Sequence, residues 1–167
     1  MPNASRASKR FARYFLPMIQ LPHEFKEFLR LLNDNHVEYL LIGGWAVGLY
    51  GHVRATGDID FWICPTPDNA ERVVNALNDF GLTGPTVTPE LVTTEGHIRF
   101  GVPPMRIELL MDVDGVEFDP CFKRRETMYF DDVPVAVIAV DDLIANKIAS
   151  GRHKDLADVE ELSDPDR

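Results

Sequence analysis

The sequence predicts an α/β (α+β) fold, a mixed β-sheet flanked by helices, and three features carry that expectation. The run Tyr39-Leu40-Leu41-Ile42 is continuously apolar, as a buried strand is. Asp58-Ile59-Asp60-Phe61-Trp62-Ile63 alternates as a half-buried strand does. Residues 22–33 place Phe25, Phe28, Leu29 and Leu32 at i, i+3, i+4 and i+7, the spacing of one helix face.

Residues 1–20 hold Arg6, Lys9, Arg10 and Arg13 and no acid. They read as a basic leader, either frayed or of targeting-peptide type, with Phe11, Phe15 and Leu16 hinting at an amphipathic helix. Residues 21–167 read as a single domain. Pro22 suits the first turn of the helix over 22–33, and Asn33-Asp34-Asn35-His36 turns the chain into a strand over 37–42. Gly43 and Gly44 end that strand, and a short apolar helix over 45–50 stops at Gly51. After a polar loop and the strand over 58–63, Pro65-Thr66-Pro67-Asp68 breaks the chain. A helix over 69–80 then turns Val73, Val74, Leu77 and Phe80 inward and closes at Gly81. Residues 82–96 read as a loop with a short helical turn after Pro89. Strands are expected over 97–101 and 105–111, joined by a Pro103-Pro104 turn, and Asp112-Val113-Asp114-Gly115 is a second turn signal. A helical turn over 118–123 and a hairpin of 127–130 with 135–139 follow; Asp131-Asp132-Val133-Pro134 is not an ideal two-residue hairpin turn. Asp141 is expected to cap a helix ending at 149, and Asp155 another ending at 162.

Bulk properties narrow the function. The 167 residues are 45% hydrophobic and 26% charged, ordinary for a globular domain. No apolar run is long enough to cross a bilayer; residues 133–140 are too few and hold Pro134. A net charge of −10 argues against an extended nucleic-acid footprint, which needs clustered Lys and Arg, but not against a nucleotide met locally through a metal ion. Cys64 and Cys121 have no metal-ligand spacing and read as reduced, which makes a cytoplasmic protein the expectation. The five histidines are scattered, with no zinc pattern.

The chemistry centres on residues 43–64. Asp58 and Asp60 share one strand face, with Ile59 and Phe61 on the other. Adjacent carboxylates repel, and one pKa rises unless a cation lies between them. Mg²⁺ takes carboxylate oxygens while keeping positions for water and phosphates. Gly43 and Gly44 allow close backbone approach, with the helix start at Trp45 turned toward an anion. A metal–nucleoside triphosphate site is the expectation. Either feature alone is weak: acids at strand ends are commonly solvated, and paired glycines also serve tight turns and close helix packing.

Gly43-Gly44-Trp45-Ala46-Val47, the short helix and Thr56-Gly57-Asp58-Ile59-Asp60 together resemble the nucleotidyltransferase superfamily, with its DNA polymerase beta-like fold. The likeness is to the minimal bacterial branch, which includes antibiotic nucleotidyltransferases and toxin–antitoxin relatives, and it covers residues 22–161. It implies a third acid inside an apolar strand of the type x-Ile-Asp-Leu-Leu. Here that strand reads Arg106-Ile107-Glu108-Leu109-Leu110, with Glu where Asp is usual. The extra methylene moves the carboxylate, which bears on a second metal ion, and a salt bridge of Glu108 to Arg99 or Arg106 is the alternative reading. Arg54 matches a basic loop position that could meet a triphosphate or pair with a surface acid; Thr56 could meet the nucleotide or only shape the turn. Lys147, Arg152, Lys154, Asp155 and Asp158 resemble the closing element of this branch. Lys147 lies on an otherwise apolar helix, where a nucleotide phosphate would satisfy it, or Asp155 and Asp158 acting as a clamp between helices.

The resemblance implies a Mg²⁺-dependent nucleotidyltransferase. Asp58, Asp60 and Glu108 would be catalytic and metal-binding; Gly43, Gly44, Trp45, Arg54, Thr56, Lys147 and Arg152 would bind the nucleoside triphosphate. The acceptor would be a hydroxyl of a small molecule, a protein or a tRNA end, met by loops or by a second subunit, with a homodimer or a toxin–antitoxin partner in prospect. The competing expectation is a non-catalytic nucleotide-binding or toxin–antitoxin regulatory module on the same fold.

Overall fold

The structure, a computed structural model, describes residues 20–164, so the basic leader expected over 1–20 lies outside the described residues save for Gln20. One six-stranded mixed sheet organises them: β1 Tyr39–Ile42, β2 Asp58–Ile63, β3 His97–Phe100, β4 Arg106–Leu110, β5 Glu126–Phe130 and β6 Val133–Val137, in the order β3-β4-β2-β1-β6-β5. Seven helices flank it: α1 His23–Asp34, α2 Gly43–Leu49, α3 Pro67–Asp79, α4 Pro89–Thr94, α5 Phe118–Lys123, α6 Val140–Ser150 and α7 His153–Ser163. β1 runs antiparallel to β2, and β2 runs parallel to β4. Among the described residues no helix is long and apolar enough to cross a membrane.

The alternation of β2 decides how the layers form. Ile59 and Phe61 are fully buried on one face with Ile107 and Leu109 of β4. α1 covers that face with Phe25, Phe28, Leu29 and Leu32, as its spacing predicts. Phe28 meets Phe61, Phe80 and Phe100 edge-on at 5.8, 5.2 and 5.4 Å, contacts worth about 0.5–1.5 kcal/mol each beyond burial. The other face divides along its length. Trp62 packs on Phe118 of α5 at 5.2 Å, while Asp58 and Asp60 stay polar beyond the end of that cover.

Several boundaries differ from expectation, each for a local reason. α3 begins at Pro67 because Thr66 caps it, accepting from the Asn69 amide. Asn69 itself is buried and ties α3 to the chain, accepting from Glu38 N and donating to the Glu38 and Cys64 carbonyls. The hairpin has a two-residue turn after all, Asp131-Asp132, with Asp131 at φ 54° and Phe130 paired to Val133. Lys26 and Arg30 of α1 pair with those two aspartates. α6 starts at Val140 with no side-chain cap, so Asp141 is not the cap that was expected. α7 starts at His153, and Asp155 turns inward instead of capping it. Cys64 and Cys121 are both free and buried.

Candidate active site

The β2–β4 ladder assembles the site. Its register sets Asp60 beside Glu108 and Asp58 beside Arg106, so all four side chains share one face. One carboxylate oxygen from each of Asp58, Asp60 and Glu108 lies within 4.8 Å of the others. From the opposite flank β1 delivers Gly43, whose backbone takes φ 68°. A Cβ there would lie 2.1 Å from Asp60 Oδ2, so only glycine leaves the carboxylate its place. A Cβ on Gly44 would meet the Thr56 side chain at 3.0 Å. The three acids and both glycines line an open cavity of about 580 Å³.

Electrostatics separate the acids. Burial, then the charges of Asp58 and Glu108, push the Asp60 carboxyl up to about 7. Among the described residues no Lys, Arg or His reaches Asp60 at ion-pair distance. Glu108 is 7% exposed and heavily paired: Arg106 Nε lies 3.1 Å and Arg99 Nε 3.6 Å from Oε1, while His97 Nε2 lies 3.0 Å from Oε2. Arg99 Nη2 lies 3.2 Å from His97 Nδ1. A guanidinium only donates, so Nδ1 accepts and Nε2–H points at Glu108. Arg106 Nη2 also donates to Asp58 Oδ2 at 3.3 Å. Glu108 thus lies in the acid cluster and forms the ion pairs with Arg99 and Arg106 that were its alternative reading.

The donor set suits a hard divalent cation: three carboxylates in reach of one another, one without a cationic partner and kept basic by its neighbours. A family described as "Nucleotidyltransferase of unknown function (DUF6036)" matches residues 18–163, nearly the whole chain. The chain belongs to this family. No curated protein matches it. Membership in a nucleotidyltransferase family agrees with the resemblance of the Gly-Gly and Asp-x-Asp segments and with the mixed sheet.

The remaining candidates of this nucleotidyltransferase-family chain fall in two groups. Arg54, Thr56, Lys147 and Arg152 line the same cavity as the acids. Thr56 Oγ1 donates to the Asp58 carbonyl at 3.1 Å, shaping the loop into β2. Arg54 forks onto Asp158 at 2.8 and 2.9 Å. Lys147, 4% exposed, pairs with Asp155 at 3.1 Å and Asp158 at 2.9 Å, and Arg152 Nε donates to Asp155 at 2.6 Å. Burial alone would raise the Asp155 and Asp158 carboxyls, but these hydrogen bonds outweigh it and hold both below their ordinary value. The contacts of the helix clamp are thus formed, on the wall of the cavity. Trp45 stands apart: its indole packs edge-on against Phe25 and Phe130, each at 6.1 Å, and does not line the cavity.

His97 is the residue that sequence reasoning passed over. The alternation His97-Ile98-Arg99-Phe100 held a signal, because it turns His97 and Arg99 to one face, but not which strand that face would border.

Proposed function

We propose that this chain is a Mg²⁺-dependent nucleotidyltransferase, which transfers a nucleoside monophosphate from a nucleoside triphosphate to an acceptor hydroxyl and releases pyrophosphate. One observation carries the reading: the carboxylates of Asp58, Asp60 and Glu108 converge within 4.8 Å in a cavity whose wall bears Arg54, Lys147, Arg152 and Lys154. A wall that carries carboxylates and cations together suits a ligand that is polyanionic and is met through a divalent ion. Family membership supplies the reaction class.

Asp58 and Asp60, with Glu108 beside them, would hold Mg²⁺, which would neutralise phosphate charge and favour attack at the α-phosphorus. Gly43 leaves the Asp60 carboxylate its place, and Gly44 does the same for Thr56 and Arg54 on the cavity wall, where the phosphates would lie. Lys147 has donors to spare, since an ammonium offers three and its two carboxylate partners leave one. The acceptor hydroxyl attacks in line: the new bond joins its oxygen to the α-phosphorus, the bond to the β-phosphate oxygen breaks, and pyrophosphate leaves with that electron pair. Glu108 receives the hydroxyl proton, held in place by the His97 Nε2–H and by Arg106. Catalysis of this kind rests on positioning and charge complementarity, with no covalent enzyme intermediate. The acceptor is a hydroxyl of a small molecule, a protein or a tRNA end, and the acidic chain ranks the last lowest.

The test is calorimetry with each common nucleoside triphosphate, with and without Mg²⁺, followed by a pyrophosphate-release assay over a panel of hydroxyl acceptors. Metal-dependent binding and acceptor-dependent release are expected. The second reading, a nucleotide-binding or toxin–antitoxin regulatory module, is favoured by the basic residues that already engage both oxygens of Glu108. It predicts metal-dependent binding without release across the whole panel. Absence of metal-dependent binding would overturn both.

A further inference from the structure

We infer that the site takes a single divalent ion, because the guanidinium of Arg106 stands as a fixed second cation between Asp58 and Glu108. The inference rests on the proposed metal site and concerns how many ions it holds. Two-metal sites for displacement at phosphorus use acids that bridge a pair of ions. Here Arg106 sits opposite Asp58 across the β2–β4 ladder and two residues before Glu108, so its side chain emerges on the face of the acids. Nη2 lies 3.3 Å from Asp58 Oδ2 and Nε lies 3.1 Å from Glu108 Oε1.

The rest of Glu108 is also engaged. Arg99 stands 3.6 Å from the same Oε1, and His97 takes Oε2 at 3.0 Å. An ion bridging Asp58 and Glu108 would have to displace Arg106 or sit against its positive charge, and like charges at that range repel strongly. A guanidinium does not give up its proton in a protein, so this cation is permanent. Asp60 is different, with no cation at ion-pair distance among the described residues. One ion therefore has a place, on Asp60 and the oxygen of Asp58 that Arg106 leaves free.

The test counts Mn²⁺ ions on the full chain without nucleotide, from the electron paramagnetic resonance signal of the free ion during titration. Wild type is expected to saturate at one ion per chain, and Arg106→Lys, which keeps the charge, also at one. Arg106→Gln is expected to reach two, its fold checked by circular dichroism. Two ions on the wild type would overturn the inference and leave the metal site standing. None on the wild type would overturn the metal site itself, and the inference with it. A folded Arg106→Gln that stays at one would show that Arg106 does not exclude the second ion. Should Arg106→Gln fail to fold, the wild-type count still decides.

Discussion

Gly43 faces Asp60 so closely that a Cβ on the glycine would lie 2.1 Å from Oδ2 of the aspartate. The ladder fixes the Asp60 backbone between Ile42 and Glu108, so relief would have to come from turning the carboxylate away from Gly43 and out of its place in the acid cluster. Gly43→Ala also forces a residue with a Cβ to φ 68°. The expected loss is roughly 1–3 kcal/mol from strain alone, read by urea unfolding, together with weakened Mg²⁺-dependent nucleotide binding. Gly44→Ala should cost less, since its tightest contacts are with the tip of Thr56 at 3.0 Å. Equal stability of Gly43→Ala and wild type would show that neither φ 68° nor the approach to Asp60 constrains this position.

The raised Asp60 carboxyl links metal binding to pH. A carboxyl raised to about 7 in the folded chain, above its ordinary value, favours the fold at low pH and loses that contribution as pH rises through about 7. The metal-free thermal midpoint should therefore fall between about pH 4 and 7 and level off above, and Mg²⁺ should restore more of it at pH 8, because the ion binds the deprotonated form. Affinity for Mg²⁺ should weaken as pH drops through about 7. Asp60→Asn should flatten the metal-free dependence; a slope unchanged in that variant would assign it to another group.

Lys147 and its two aspartates make a different prediction. Removing one partner of a buried ion network strands the other charges, so Lys147→Met should cost about 3–5 kcal/mol in urea unfolding. The triple variant Lys147→Met, Asp155→Asn, Asp158→Asn should recover much of that loss. Asp155 and Asp158 are held below their ordinary value, so their contribution is present above the usual carboxylate range and is lost as pH falls through the depressed values. The stability gap between wild type and Lys147→Met should therefore narrow as pH falls through that range.

How much of this was legible in the sequence depends on the range of the interaction. Period-two alternation is local, so the shared face of Asp58 and Asp60 and the apolar register of Ile107 and Leu109 could be read directly. Phe25, Phe28, Leu29 and Leu32 gave the buried face of α1 in the same way. Pairing between strands is not local. That β3 borders β4 and sets His97 and Arg99 against Glu108 depends on the sheet order, which no periodicity encodes. Lys147 is legible as a charge needing a partner, with Asp155 and Asp158 as candidates, but that both reach it depends on how α6 meets α7. The packing of the Trp45 indole is not legible for a related reason. Its backbone stands at the start of α2, beside the cavity, while helix geometry turns the indole toward Phe25 and Phe130.

The most direct measurement is Mg²⁺-dependent binding of nucleoside triphosphates to wild type and to Asp60→Asn, followed by calorimetry with the thermal midpoint of each recorded. Wild type is expected to bind at least one triphosphate only when Mg²⁺ is present. Asp60→Asn should lose that binding while its midpoint holds or rises, because the repulsion from Asp58 and Glu108 has been removed. Metal-dependent binding that survives intact in a folded Asp60→Asn would contradict the assignment of the acid cluster as the nucleotide's metal site.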